Sequence, residues 1–338
     1  MGSESEASTR GQGAVESGKI SELVARGPYD LVRSLSRIVC AVVARRHPEA
    51  GPREQLLETG EFPMALRSED RPVLVALGQD RVDGPVDLRV LAADATPRSE
   101  ALVAEVRRIL CLDHDLDDWY RKAAEDPVLA DLVRRYRGLR LALTPTPFQG
   151  LCHAILFQQV SYLAAQTTEQ RFKERFGDRL EHSGRTFWLS PTPGRVASLS
   201  EDALRSVGIP FRKGLAMLTV AREIVQGRLD LAALVLEPDA DVAARRLTRY
   251  FGIGPWTAHH AMIRALGVTD CLPYEDPGLR SAVTLCYRLH GPASAEDVRE
   301  IAERWRPWRS YAAYYFWNTF WEPAAPAPSA GATIAPPD

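Results

Sequence analysis

The chain has 338 residues, 45% of them hydrophobic, with 42 Lys and Arg against 44 Asp and Glu and a formal net charge of −2. That length and apolar share allow one large domain or two to three ordinary ones, and the near-neutral balance excludes a global basic field, so any nucleic-acid face must be local. Five cysteines, at 40, 111, 152, 271 and 286, make no CxxC pair and no metal-ligand spacing. They read as buried thiols of a reduced intracellular protein.

Residues 1–26 are rich in Ser, Glu and Gly, and residues 323–338 in Pro and Ala. Neither segment can bury enough apolar surface to offset its ordering entropy, so both read as disordered tails. The start lacks the apolar core of a signal peptide, and no run is long enough to span a bilayer. The expectation is a soluble, cytoplasmic, nucleoid-associated monomer without membrane contact.

From residue 27 to 112 the pattern mixes periods. Tyr29 to Val43 reads helical, Glu61 to Leu66, Val73 to Leu77 and Asp87 to Leu91 read as short strands, and Arg98 to Leu110 is a helix with Leu102, Val103, Val106 and Leu110 on one face. This predicts a small α+β domain. From 113 to 322 the chain turns helical. The acidic run around His114 invites a metal reading, but such clusters are usually solvated helix starts, and no metal or cofactor is expected. Pro147 to Phe176 reads as one long amphipathic helical stretch, with Gln158 and Gln159 as core-facing or hairpin-supporting polar residues. Ala302 to Glu322 is unusually aromatic, and such a stripe is more often core than pocket.

The most informative stretch is Leu247 to Arg280. An amphipathic lead-in, the turn Gly252-Ile253-Gly254 and a helix opening at Pro255 make a helix-hairpin-helix. Its glycines can take positive φ and let another backbone approach, and the amides at the helix start, Thr257 among them, suit one phosphate oxygen. Beyond Cys271-Leu272-Pro273, Asp276 precedes Pro277, the usual N-cap and N1 pair of a new helix.

This stretch resembles the DNA glycosylase branch of the helix-hairpin-helix superfamily, where a Gly-Ile-Gly hairpin is followed about twenty residues on by an invariant Asp; here the offset is 276 − 254 = 22. Pro277 replaces the usual Leu. Ile155 to Ser161 resembles the family's Ile-x-x-Gln-Gln-x-Ser segment, and the string from Ala302 to Ala312 (AERWRPWRSYA) is similar to the 3-methyladenine DNA glycosylase II branch. The resemblance covers about residues 112 to 322 and implies a mostly α fold with an N-terminal α+β domain of the TATA-binding-protein type.

It implies further a glycosylase that extrudes an alkylated purine from double-stranded DNA and hydrolyses its glycosidic bond. Asp276 is the catalytic carboxylate, with Glu275 as the fallback. Trp256, His260, Tyr274 and Trp317 form the base pocket, and His260 stands where the family often has Tyr. Leu141 takes the place of the intercalating wedge, with Leu143 the alternative and burial an equal reading, and Arg212 and Lys213 lie in a turn that approaches phosphates. Bifunctional relatives carry a Lys two residues after the second hairpin glycine; Trp256 stands there, so no lyase step is expected. The iron-sulfur branch is excluded because no cysteine follows Cys286. The histidine pair His259 and His260 leaves open a specialisation for bulky or unusual adducts. A non-enzymatic module that only holds DNA is the reading from another class.

Overall fold

Apolar residues at every second position build an N-terminal antiparallel sheet. The computed structural model describes residues 19–35 and 60–320. Strands β1 (Lys19–Leu23), β2 (Glu61–Ser68), β3 (Arg71–Gly78) and β4 (Val86–Ala93) pair in the order β1-β4-β3-β2. Register β2–β3 closes at Ser68↔Arg71, leaving Glu69 and Asp70 at φ 50° and 63°, the two-residue hairpin whose twist matches the strands. Val73, Val75 and Leu77 face helix α1 (Ser99–Ile109) through Leu102 and Val106. Leu74 faces the other way, onto Leu180 and Leu189 around a small hairpin of β5 (Arg179–His182) and β6 (Arg185–Trp188).

The expectation of a tail over 1–26 is corrected at β1: Leu23 is buried in the sheet core, and antiparallel pairing with β4 orders residues 19–23. Residues 1–18 and the Pro/Ala-rich 323–338 lie outside the described residues, as does the predicted helix beyond its turn at 31–35.

Arg140 staples the sheet domain to the helical body. It is fully buried, and its guanidinium donates to the carbonyls of Arg26, Pro28, Cys111 and His114. The segment it sits in runs along the seam between two cores. Leu141 and Leu143 turn into the helical core while Ala142 turns into the sheet core.

The helices that carry the site are α2 (Pro147–Leu156), α3 (Tyr162–Phe176), α4 (Phe211–Val225), α5 (Ala240–Leu247), α6 (Pro255–Arg264), α7 (Pro277–Cys286) and α8 (Arg309–Asn318). The single long helix expected from Pro147 to Phe176 is two: Gln159 takes φ 51°, and Ser161 caps α3 by accepting from the Ala164 amide. All ten residues of α8 are buried, most of them apolar or aromatic, with Arg309 paired to Asp270. Trp119 packs against Trp308, Tyr311 and Tyr315, so most of the aromatic stripe is core.

Candidate active site

Asp276 begins as an ordinary helix cap. Its Oδ1 accepts from the Leu279 amide at 2.7 Å, with Pro277 at N1 of α7. Three ring N–H groups then converge on the same carboxylate. Trp317 Nε1 donates to Oδ1 at 2.8 Å, Trp256 Nε1 to Oδ2 at 2.7 Å, and His260 Nε2 meets Oδ2 at 3.2 Å. Trp256 and His260 are four residues apart on α6 and so share a face; Trp317 comes from α8. Asp276 itself is 8% exposed, whereas Glu275 points to solvent. Gly278 makes the convergence possible, because a Cβ there would lie 3.0 Å from Asp276 Oδ1 and 3.7 Å from Trp317 Cδ1.

The electrostatics follow from these contacts. Burial acts to raise the Asp276 carboxyl, but the hydrogen bond and electrostatic attraction of His260, with hydrogen bonds from Trp256 and the Leu279 amide, outweigh it and hold the group well below the usual carboxylate range. Burial lowers the His260 imidazole below its ordinary value, against the pull of Asp276. The carboxylate is the acceptor of this pair, so the Nε2 that faces it carries a proton. The His260 ring lies between the two indoles, 4.1 Å from the Trp256 centroid at 33° and 4.8 Å from the Trp317 centroid at 26°.

Tyr274 does not join this pocket. It packs edge-on to His259, carries the Arg299 guanidinium 3.6 Å above its ring, and with them lines a crevice of about 560 Å³ that also includes Asp241 and Arg309. The reason is chain direction: the side chain of Tyr274 leaves the exit loop on the His259 side of α6, opposite to Asp276.

The hairpin joins α5 to α6. Gly252 adopts φ 77° with its would-be Cβ 2.6 Å from Ala216 Cβ, so it seats the turn on α4. Gly254 has ordinary φ −86°, and a Cβ there would meet nothing. Among the described residues no acceptor is found for the amides of Gly254, Trp256 and Thr257, the open donors of a helix start. Ile253 is an anchor, 4% exposed, with its amide on the Tyr250 carbonyl. Gln158 holds the hairpin from behind, donating to Gly252 O at 2.8 Å and Thr257 Oγ1 at 2.7 Å.

Two expected contacts are corrected. Lys213 is turned inward, its ammonium on Leu156 O at 2.7 Å and Gln158 O at 2.8 Å, where it satisfies the end of α2; Arg212 remains exposed, its guanidinium 5.9 Å from the Phe251 ring centroid. Leu141 and Leu143 are 0% and 2% exposed. Neither is presented at the surface, because Arg140 anchors their segment in the domain seam. Exposed apolar groups near the hairpin include Val160, at 44%, and Leu163, at 64%, around the left-handed Gln159, together with Phe251, at 43%.

Sequence reasoning missed a buried triad between α2 and α3. Glu169 accepts from Lys173 at 2.8 Å and pairs with His153 Nδ1 at 2.9 Å. Burial favours its neutral form, but Lys173 and His153 override this and keep it ionised. The i,i+4 spacing of Glu169 and Lys173 was a signal; the third member, on another helix, was not. His114, by contrast, meets Tyr311 Oη at 2.8 Å, and among the described residues no three His, Cys, Asp or Glu cluster as metal ligands. No helix among them is long and apolar enough to cross a membrane.

A phosphate-ready hairpin followed by a buried carboxylate among indoles defines the class: residues 152–307 match the HhH-GPD superfamily of base excision DNA repair proteins. The chain is 30% identical over 224 residues to the DNA-3-methyladenine glycosylase of Bacillus subtilis, covering 66% of this chain and 74% of that protein. It is 32% identical over 187 residues to DNA-3-methyladenine glycosylase 2 of Escherichia coli, covering 55% and 62%. The 3-methyladenine DNA-glycosylase of Archaeoglobus fulgidus superposes with a TM-score of 0.73 at 25% identity, over 88% of this chain and 98% of that one. The chain belongs to the DNA-3-methyladenine glycosylase family, and is thus a DNA N-glycosylase of base excision repair.

Proposed function

We propose that the enzyme removes alkylated purines of the 3-methyladenine and 7-methylguanine type from duplex DNA, by hydrolysis alone. A solved Schizosaccharomyces pombe relative of 25% identity and TM-score 0.50 is in complex with abasic DNA, which supports a duplex partner here. A base inside a duplex is out of reach, so the nucleotide is extruded and read by stacking. The indoles of Trp256 and Trp317 supply the stacking walls, and His260 lies in the same pocket against both. A purine alkylated at N3 or N7 is cationic and gains roughly 0.5–2 kcal/mol over an aromatic face. Its charge also makes it a good leaving group, so no acid is needed and one carboxylate suffices. Asp276 stabilises the developing oxocarbenium ion and takes a proton from the attacking water.

The observation that carries the hydrolytic reading is the fate of the lysines. The sequence has four. Lys122 pairs with Glu125, Lys173 with Glu169 and Lys213 with two carbonyls, while Lys19 lies in β1 of the sheet domain, paired with Glu22 and Asp87. None adjoins Asp276 to attack the sugar as an amine. The open amides at Gly254, Trp256 and Thr257 hold one phosphate, and the loop at Gln159 and Val160 fills the gap left by the extruded nucleotide, as apolar wedges do.

The test is incubation with duplex carrying 7-methylguanine: intact abasic strands until alkali is added. Strand nicking without alkali, or a covalent complex trapped by borohydride, overturns the hydrolytic assignment. Release of bulky adducts alone would overturn the alkylpurine assignment in favour of the specialised reading. A module that merely holds DNA would release nothing.

A further inference from the structure

We infer that His260 is a displaceable plug: in the free enzyme its imidazole occupies the stacking slot and masks Asp276, and only an extruded base that replaces it uncovers the carboxylate. The inference rests on the assignment of Asp276 and of the indole walls.

The slot has no room for a third ring. A flat base needs contact of about 3.5–4.0 Å on each face, hence walls roughly 7 Å apart. The centroids of His260 and Trp317 are 4.8 Å apart and close to parallel, and on the other side Trp256 is at 4.1 Å. The imidazole thus stands where a base must stack.

The carboxylate is equally occupied. A carboxylate offers about four lone-pair sites, and Leu279, Trp317, Trp256 and His260 take four. With all of them in place it has no site left to receive a proton from water or to face a sugar cation. The four contacts are unequal: His260 is at 3.2 Å where the others are at 2.7–2.8 Å. The indoles that form the walls are pinned, and the ring between them is held most weakly.

This couples recognition to activation. A cationic purine entering between the indoles gains from both π faces, which a normal neutral base does not, so it competes better with the imidazole. When it enters, the Nε2 hydrogen bond breaks and one Oδ2 lone pair is released for the water. Undamaged bases that flip transiently meet a filled slot and a masked carboxylate. Binding energy of the right base assembles the site, as in induced fit.

The test compares excision of 7-methylguanine and of hypoxanthine, a neutral purine, from duplex by the full chain and by His260→Ala, under single turnover. The expected result is that His260→Ala narrows the preference for the cationic base at least ten-fold, by gaining on hypoxanthine. An unchanged ratio, or equal loss on both bases by a folded variant, overturns the plug while leaving the carboxylate assignment standing. Failure of that assignment appears separately, as an active Asp276→Asn. Should His260→Ala not fold, the wild-type enzyme decides: the Nε2 proton of His260, seen by NMR in the free protein, should lose its carboxylate-bonded signature on saturation with duplex carrying 7-methylguanine on a hydrolysis-resistant 2′-fluoro sugar. Retention of that signature in the complex overturns the plug.

Discussion

Asp276→Asn removes one charge and exchanges one oxygen for an NH2 group. The surviving oxygen is best used at the Oδ1 position, where it keeps the Leu279 cap and the Trp317 indole. The amide nitrogen then faces Trp256 Nε1 and His260 Nε2. His260 can answer by moving its proton to Nδ1 and accepting, but an indole N–H has no such option. One buried donor loses its acceptor, at a cost of about 1–3 kcal/mol. The wild-type contribution has a definite pH sign: a carboxyl held below its unfolded value stabilises the fold above that value, and the benefit disappears only as pH falls through the folded one. The variant should therefore be less stable by about 1–3 kcal/mol at pH 7 yet remain folded. Excision should fall by about 10²–10³ or more, the cost of losing a preorganised electrostatic partner. Single-turnover release of 7-methylguanine, read beside urea denaturation, checks both, and exposed Glu275→Gln should change neither. The reasoning is refuted if Asp276→Asn keeps excision within ten-fold of wild type, or if Glu275→Gln abolishes it.

Gly252→Ala places a Cβ 2.6 Å from Ala216 Cβ at φ 77°, so it should destabilise by about 1–2 kcal/mol and lower the melting temperature. Gly254→Ala has open space and ordinary φ; it should melt normally but lose duplex affinity in titrations, and normal affinity would rule out phosphate contact there. Arg140→Met takes the guanidinium from four carbonyls, of which those of Arg26 and Cys111 keep a backbone amide, and should cost about 2 kcal/mol or more in urea unfolding; a loss below about 1 kcal/mol would deny the seam its role. Burial holds His114 and His259 at about 4, below the ordinary 6.5. The unfolded chain binds the extra protons, so stability is full above 6.5 and is lost as pH falls towards 4, by about 3 kcal/mol per histidine. Denaturation midpoints that stay flat between pH 7 and 4.5 would contradict this.

Local chemistry was enough to read the hairpin, the cap at Asp276 and three of the four sheet strands. Each rests on residues a few positions apart whose backbone preferences act alone: a glycine at positive φ, an Asp before a Pro, apolar residues at period two. The same holds for Trp256 and His260, which one helical turn brings to one face. The resemblance placed Trp317 beside them, although composition alone put it in the core.

What depended on the assembled fold was the direction of each side chain beyond its own element. Leu141 read equally as wedge or core until Arg140 gathered four carbonyls, two of them from residues over a hundred positions away, and closed its segment into a seam. Lys213 looked like a phosphate contact until the broken end of α2 offered two carbonyls at hydrogen-bond distance. Tyr274 and Asp276 are two residues apart, yet one faces the His259 crevice and the other the indoles. Periodicity states which residues share a face, but not which neighbour that face will meet. The four donors on Asp276 come from three helices, and only packing brings α8 against the start of α7. The sequence by itself determined that Asp276 caps a helix, because cap geometry is local, and the resemblance singled it out as the candidate carboxylate; the tertiary structure decided that four donors converge on it, because that is a property of helices in contact.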